Sequence, residues 1–174
     1  MKAVRVLAVL IAVCLCVQSC SEPPAAPPVT AAAPQADLIG SLLAPTGLLK
    51  CSDLPFDSET RTIGPAGGTI TAGPHTLVIP AGALDRATEI TMTAPSGRGV
   101  NQVHFEPEGL QFQRSAALTM SYANCNVLGK LLPKRIAYTS SALDIVSYLL
   151  SVDNLWTKRV TGRLDHFSDY VVAW

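Results

Sequence analysis

The regular spacing of glycine and proline turns after Cys51 limits the fold more than any other feature of this chain. Glycine adopts the backbone angles that tight turns require, and proline fixes φ and removes a hydrogen-bond donor. The turns lie at residues 64–68, 72–74, 80–82, 95–97 and 106–109. Short segments separated this closely, with little helical periodicity, predict an all-β protein folded as an antiparallel β-sandwich.

The segments between these turns have the composition of strands. Ile90, Met92 and Ala94 alternate with polar neighbours, which is the period of a half-buried strand. The predicted strands are 69–71, 75–79, 88–93, 102–105, 117–122, 136–139, 156–161 and 167–174. Residues 143–150 fit either a strand or a short helix.

The first twenty residues have the pattern of a bacterial lipoprotein signal. Lys2 and Arg5 precede an apolar run at 6–17, and the small Ser19 lies directly before Cys20. We predict that residues 1–19 are removed as a signal peptide and that Cys20 is lipidated. The alternatives are an ordinary secretory signal and an uncleaved anchor.

The chain after the signal divides into a tether and one domain. Residues 21–35 are rich in proline and alanine, so residues 20–50 are predicted to be the lipidated cysteine followed by a disordered linker. Residues 51–174 are predicted to form the β-sandwich. The predicted localisation is the cell envelope: the periplasmic face of the outer membrane, or the cell surface, if the host has two membranes.

The charge balance bears on the partner. The chain has 13 basic and 13 acidic residues, and removal of 1–19 takes away Lys2 and Arg5, which leaves 11 against 13 and a formal charge of −2. This composition argues against nucleic acid, which requires a basic surface. The predicted partners are the membrane, through the lipid anchor, and an envelope protein. No pattern indicates a small-molecule substrate or a cofactor.

Two cysteines remain in the predicted domain, Cys51 and Cys125. An even pair in an exported protein favours a disulfide. Two buried free thiols are the alternative. A metal site has no support, because no second cysteine or histidine lies at ligand spacing from either residue.

Several short motifs occur in a characteristic order: GGTI (67–70), HTLVIPAGAL (75–84), TEITM (88–92), VHFEPEGLQF (103–112), ALTMSY (117–122) and HFSDYVV (166–172). This succession resembles the ZU-five domain, a β-sandwich module of ankyrins, netrin receptors, tight-junction proteins and death-domain proteins. Residues 124–163 match poorly. The shared residues form turns and strands, so the resemblance implies architecture more than activity.

The resemblance also implies a possible reaction at His166, Phe167 and Ser168. Similar sandwiches in death-domain and inflammasome proteins cut themselves between Phe and Ser of such a motif. There the serine hydroxyl attacks the preceding carbonyl, and the histidine acts as acid or base. The competing interpretation, which we favour, is that His166 and Ser168 form hydrogen bonds at the start of the last strand while Phe167 packs in the core.

Other candidates for chemistry are weaker. His104, Glu106 and Glu108 alternate and include zinc-ligand types, but the turn at Pro107 breaks their common face, so an exposed strand surface is expected. His75 is expected at the surface. The predicted function is therefore non-enzymatic: a lipid-anchored β-sandwich for structural or protein–protein contacts. The alternatives are an autoproteolytic module and a carbohydrate-binding sandwich.

Overall fold

A computed structural model describes residues 47–126 and 132–174, and every regular element in these two ranges is a β-strand. The predicted signal peptide, the lipidated Cys20 and residues 20–46 of the predicted linker lie outside the described residues. The predicted all-β, antiparallel class is confirmed.

Eleven strands form two antiparallel sheets. The strands are β1 (Asp57–Ile63), β2 (Gly68–Ala72), β3 (His75–Ile79), β4 (Thr88–Ala94), β5 (Gln102–Glu106), β6 (Gln111–Ser121), β7 (Arg135–Thr139), β8 (Ile145–Tyr148), β9 (Ser151–Asn154), β10 (Arg159–His166) and β11 (Asp169–Ala173). The six-stranded sheet has the order β1-β4-β5-β11-β7-β8, and the five-stranded sheet has the order β2-β3-β6-β10-β9.

The core lies between the sheets and follows from the alternation in the sequence. Ile90 and Met92 of β4 are fully buried, while Thr91 between them is partly exposed. On the facing sheet, Leu118 and Met120 of β6 are buried in the same way. Alternate side chains of an antiparallel strand point to opposite faces, so each sheet supplies one apolar face to the sandwich.

One lateral edge of the sandwich is formed by a run of chain that changes sheets. β8 pairs with β7 in the six-stranded sheet, and β9 pairs with β10 in the five-stranded sheet. Only Leu149 and Leu150 separate these two strands. The ambiguous segment 143–150 is therefore strand at its centre, and it continues into a second strand on the other sheet.

The described domain also takes in the residues just before Cys51. Leu48 bridges to Ala173 beside the last strand, and Lys50 bridges to Val100. Leu49 between them is buried in the core. The tail of the predicted linker thus packs on the sandwich.

One strand begins later in the chain than predicted. The segment 156–161 was expected to be a strand throughout, but residues 155–158 form a turn and β10 begins at Arg159. Asn154 causes this turn, because its side-chain oxygen accepts the N–H groups of Trp156 and Thr157, each at 3.1 Å.

Candidate functional site

Cys51 and Cys125 lie side by side on neighbouring segments. Their Sγ atoms are 1.99 Å apart and their Cα atoms 3.8 Å apart, across an isolated antiparallel bridge. The pair is compatible with the predicted disulfide. It would join the segment before β1 to the turn after β6, 74 residues along the chain.

His166, Phe167 and Ser168 form the connection between β10 and β11. The Tyr170 hydroxyl donates to the His166 carbonyl at 2.6 Å. This bond joins the start of β11 to the last residue of β10. Burial raises the pKa of Tyr170 well above its ordinary value, so this donor stays protonated. The His166 ring packs edge-on against Tyr138, with the ring centroids 5.2 Å apart.

Phe167 is a core residue. Its ring stacks on Phe105 at 4.7 Å between centroids and meets Phe112 edge-on at 5.1 Å. Such pairs add to the stabilisation that comes from burying the ring itself. The three aromatic rings pack β5 and β6, which belong to different sheets, against the β10–β11 connection.

The carbonyl of Phe167 has the contacts that a self-cleavage reaction would use. It accepts the Gly109 N–H at 3.1 Å, and the His166 Nδ1 atom lies 3.4 Å from the same oxygen. Ser168, the next residue, is buried. The three predicted residues are consecutive in the chain, and the fold adds Gly109, whose backbone contact with Phe167 the sequence did not predict.

His104 and Glu106 lie on β5, and Glu108 follows in the turn, on the rim of a shallow groove of about 380 Å³. His104 Nδ1 contacts the Asp169 carboxylate on the adjacent strand at 3.0 Å. No group of three His, Cys, Asp or Glu residues within 47–126 and 132–174 has the arrangement of a metal site.

His75 is not at the surface, as the sequence suggested, but only 1% exposed. It begins β3 beneath the end of β6, where its Nδ1 accepts the Ser121 N–H at 3.2 Å. Burial, and to a lesser degree the positive charge of Arg159, lowers the pKa of His75 to about 4. Its position beside an exposed turn misled the prediction, because His75 is the first residue of β3 and lies on the same buried face as Leu77 and Ile79.

A group of exposed apolar residues that the sequence did not predict lies on the β8–β9 edge, which we define as residues 145–156. Five of the eight large apolar residues that are exposed in the described ranges lie in this segment. They are Val146, Leu150, Val152, Leu155 and Trp156. The sequence does contain a signal for these residues. Residues near a turn are usually polar, and Leu150 and Val152, which lie in or next to the connection between β8 and β9, are apolar.

The opposite lateral edge, formed by β1 and β2, is closed by side chains. Glu59 accepts the Thr71 N–H at 3.1 Å, and Asp57 accepts the Gly73 N–H at 2.6 Å. The Arg61 guanidinium donates to the Thr69 carbonyl. The bond from Thr71 holds the pKa of Glu59 below its ordinary value, so the carboxylate remains charged and in place. Charged residues and occupied backbone groups protect a strand edge from pairing with another chain.

Comparisons with known proteins give no assignment. The chain matches no protein-family model, and a search of curated proteins finds no match. Within residues 47–126 and 132–174, no helix combines the length and apolar character that crossing a bilayer requires.

Proposed function

We propose that this protein is a lipid-anchored, non-enzymatic component of the cell envelope, in which a ZU-type β-sandwich binds another envelope protein through the β8–β9 edge. The observation that carries the proposal is the exposure of Val146, Leu150 and Val152, which are 60%, 73% and 74% exposed. Apolar side chains concentrated on one edge are typical of interaction surfaces.

The contrast between the two lateral edges supports this choice of surface. On the β1–β2 edge, carboxylates and a guanidinium occupy backbone groups that a further strand would use. β8 and β9 are each the last strand of their sheet and carry apolar rather than charged side chains outward. A partner strand can add to such an edge by backbone hydrogen bonds, with its own apolar residues against Val152.

The lipid anchor rests on the pattern of residues 1–20, and the ZU-type assignment rests on the motifs between 67 and 172. An anchored domain is confined to one surface, which raises its effective concentration toward partners on that surface. A sandwich with an exposed apolar edge and no evident substrate pattern fits that role.

Site-specific photo-cross-linking in living cells tests the proposal. A photoreactive residue at Val152 of the full chain is expected to yield one discrete protein adduct, identified by mass spectrometry. The same residue at Val78, which is exposed on β3 of the five-stranded sheet, is the matched control. Equal adducts from both positions, or none from Val146, Leu150 and Val152, would contradict the proposal.

A second candidate function is self-cleavage between Phe167 and Ser168. The observation in its favour is the Phe167 carbonyl, which the Gly109 N–H and His166 both approach. In this reaction the Ser168 hydroxyl gives its proton to His166 as its oxygen attacks that carbonyl carbon, and the peptide C–N bond breaks as His166 passes the proton to the nitrogen. Water then hydrolyses the resulting ester to a Phe167 carboxylate and a free Ser168 hydroxyl. A fragment beginning at Ser168, absent from Ser168→Ala, would establish this function.

A further inference from the structure

Trp156 is the most exposed large apolar side chain of the described domain, at 97%. It lies at the tip of the β9–β10 hairpin next to Leu155, which is also exposed. Such exposure of a tryptophan is costly in water, because its ring is the largest apolar surface that a side chain can bury. The adjacent exposed Leu155 and Trp156 make the tip a candidate contact surface.

The hairpin holds Trp156 in a defined orientation. The Asn154 side chain accepts two backbone N–H groups of the turn, and Lys158 adopts a left-handed φ of 51° that closes it. The Lys158 carbonyl then accepts the Tyr122 N–H at 2.9 Å, which fastens the turn to the end of β6. The tip is thus a rigid projection of the sandwich.

The first described residues, from Gly47 onward, contact the same end of the sandwich. Gly47 and Trp174 exchange two backbone hydrogen bonds, of 3.2 and 3.0 Å, beside the end of β11. Lys50 accepts the Asn126 N–H at 2.8 Å in the segment that follows Cys125. We call this the Trp156 end: the hairpin tip, residues 47–57, the loop between β4 and β5, and the segments that flank 127–131. The chain before Gly47 joins the domain here.

The Trp156 end is basic, and the other end is acidic. Five exposed or partly exposed basic residues and three acidic residues lie at the Trp156 end: Lys50, Arg98, Arg135, Lys158 and Arg159 against Asp53, Asp57 and Asp153. A sixth basic residue there, Lys134, is buried. Acidic residues outnumber basic ones at the opposite end, among them Asp85, Glu89, Glu106, Glu108 and Asp165. The domain is therefore electrically polarised along its strands.

We propose that the Trp156 hairpin inserts into the interface of an anionic phospholipid bilayer. Tryptophan prefers the headgroup level of a membrane, where its ring is buried and its N–H remains hydrated. Lys158 and Arg159 flank the tip, and each basic residue close to an anionic surface favours binding. With the tip inserted, the acidic end faces away from the membrane, and residues 145–152 of the β8–β9 edge, which carry the proposed protein contact, lie along the side.

This inference rests on the proposed anchor only in that the anchor delivers the domain to a bilayer. The test uses the full chain reconstituted into vesicles, which replaces that delivery step. Failure of the anchor is measured separately by fractionation of Cys20→Ser, and failure of partner binding by cross-linking at Val152.

The experiment compares two versions of the chain that each contain one tryptophan. Trp174→Phe leaves Trp156 as the sole tryptophan, because the chain contains two. The matched control combines Trp156→Phe, Trp174→Phe and Val78→Trp, which moves the probe to the exposed face of β3. Vesicles contain phosphatidylglycerol or phosphatidylcholine, and each lipid is used both plain and brominated on its acyl chains.

In phosphatidylglycerol vesicles, Trp156 is expected to emit at shorter wavelength than the control tryptophan, to resist acrylamide and to be quenched by the brominated chains. Lys158→Glu combined with Arg159→Glu, or the use of phosphatidylcholine, lowers that quenching several-fold. Equal quenching of the two tryptophans, or a Trp156 that remains accessible to acrylamide, would overturn the proposal. So would protection of Trp156 that requires an added envelope protein, because the tip would then be a protein contact.

Discussion

The Tyr170 hydroxyl donates to the backbone carbonyl of His166 at 2.6 Å, across the connection between the last two strands. This bond makes the motif at 166–168 part of the framework of the sandwich. Tyr170→Phe removes the donor and leaves the part-buried His166 carbonyl without this hydrogen bond, so it is expected to destabilise the domain by about 1 kcal/mol. Chemical denaturation of both proteins measures the difference.

Phe167 contributes more than Tyr170 to the same connection, because its ring is buried between Phe105 and Phe112. Phe167→Ala leaves a cavity and is expected to cost about 4 kcal/mol of unfolding free energy. The purified chain is expected to remain one polypeptide across Ser168, and Ser168→Ala is expected to differ from it in intact mass only by the one oxygen atom that the substitution removes. A fragment that begins at Ser168 would instead favour the self-cleaving alternative.

Buried His75 makes the stability of the domain depend on pH. Its pKa is about 4 in the folded protein, below its ordinary value of 6.5, so the unfolded chain binds the proton more readily. The contribution of neutral His75 to the free energy of unfolding is therefore complete above pH 6.5. It is lost as the pH falls toward 4, by about 3 kcal/mol in total.

His75→Gln, which does not titrate in this range and retains an acceptor, is expected to flatten the pH dependence. Urea denaturation at several pH values between 4 and 7 measures the slope for both chains. His104→Gln, at a half-exposed strand position, serves as the control. An unchanged slope in His75→Gln would show that another group causes the pH effect.

The cysteine pair is expected to be oxidised in the exported protein. A bond that closes a loop of 74 residues stabilises the domain by about 4 kcal/mol in the chain-entropy model. Cys51→Ser combined with Cys125→Ser is expected to lose stability of this order, whereas reductant has no effect on the double variant. Two thiols that react with an alkylating reagent in the unreduced, unfolded protein would exclude the bond.

The anchor prediction concerns Cys20, and membrane fractionation tests it. The wild-type chain is expected to sediment with membranes, because several acyl chains together bury enough CH₂ groups for stable attachment. Cys20→Ser is expected either to appear in the soluble fraction or to accumulate as an unprocessed precursor. Normal processing and membrane retention of this variant would refute lipidation at that residue.

Much of the architecture was predictable because its signals are local. The predicted strand 75–79 coincides with β3, and 88–93 and 102–105 fall one residue short of β4 and β5. In these segments apolar and polar residues alternate between glycine or proline turns, so periodicity and turn chemistry agree. The proximity of Cys51 and Cys125 agrees with the pairing predicted from their number, and the disulfide itself stays a prediction.

The remaining elements depend on neighbours that the sequence does not show. β1 is almost entirely polar and exposed, so it has no apolar alternation, and it is ordered by pairing with β4. β8 and β9 carry exposed apolar residues, which disturbs the period expected of an edge strand. The Gly109 contact to Phe167 joins residues far apart in the chain, and only the folded register brings them together.

The dissociation constant for the cross-linked partner tests the central proposal most directly. Once that envelope protein is purified, we expect Val152→Asp to weaken its binding at least about tenfold, because a charge would be buried in an apolar contact. Val78→Asp, the matched change at an exposed valine on β3, should leave the dissociation constant unchanged. Equal affinity of Val152→Asp and the wild-type chain would contradict the assignment of the β8–β9 edge as the binding surface.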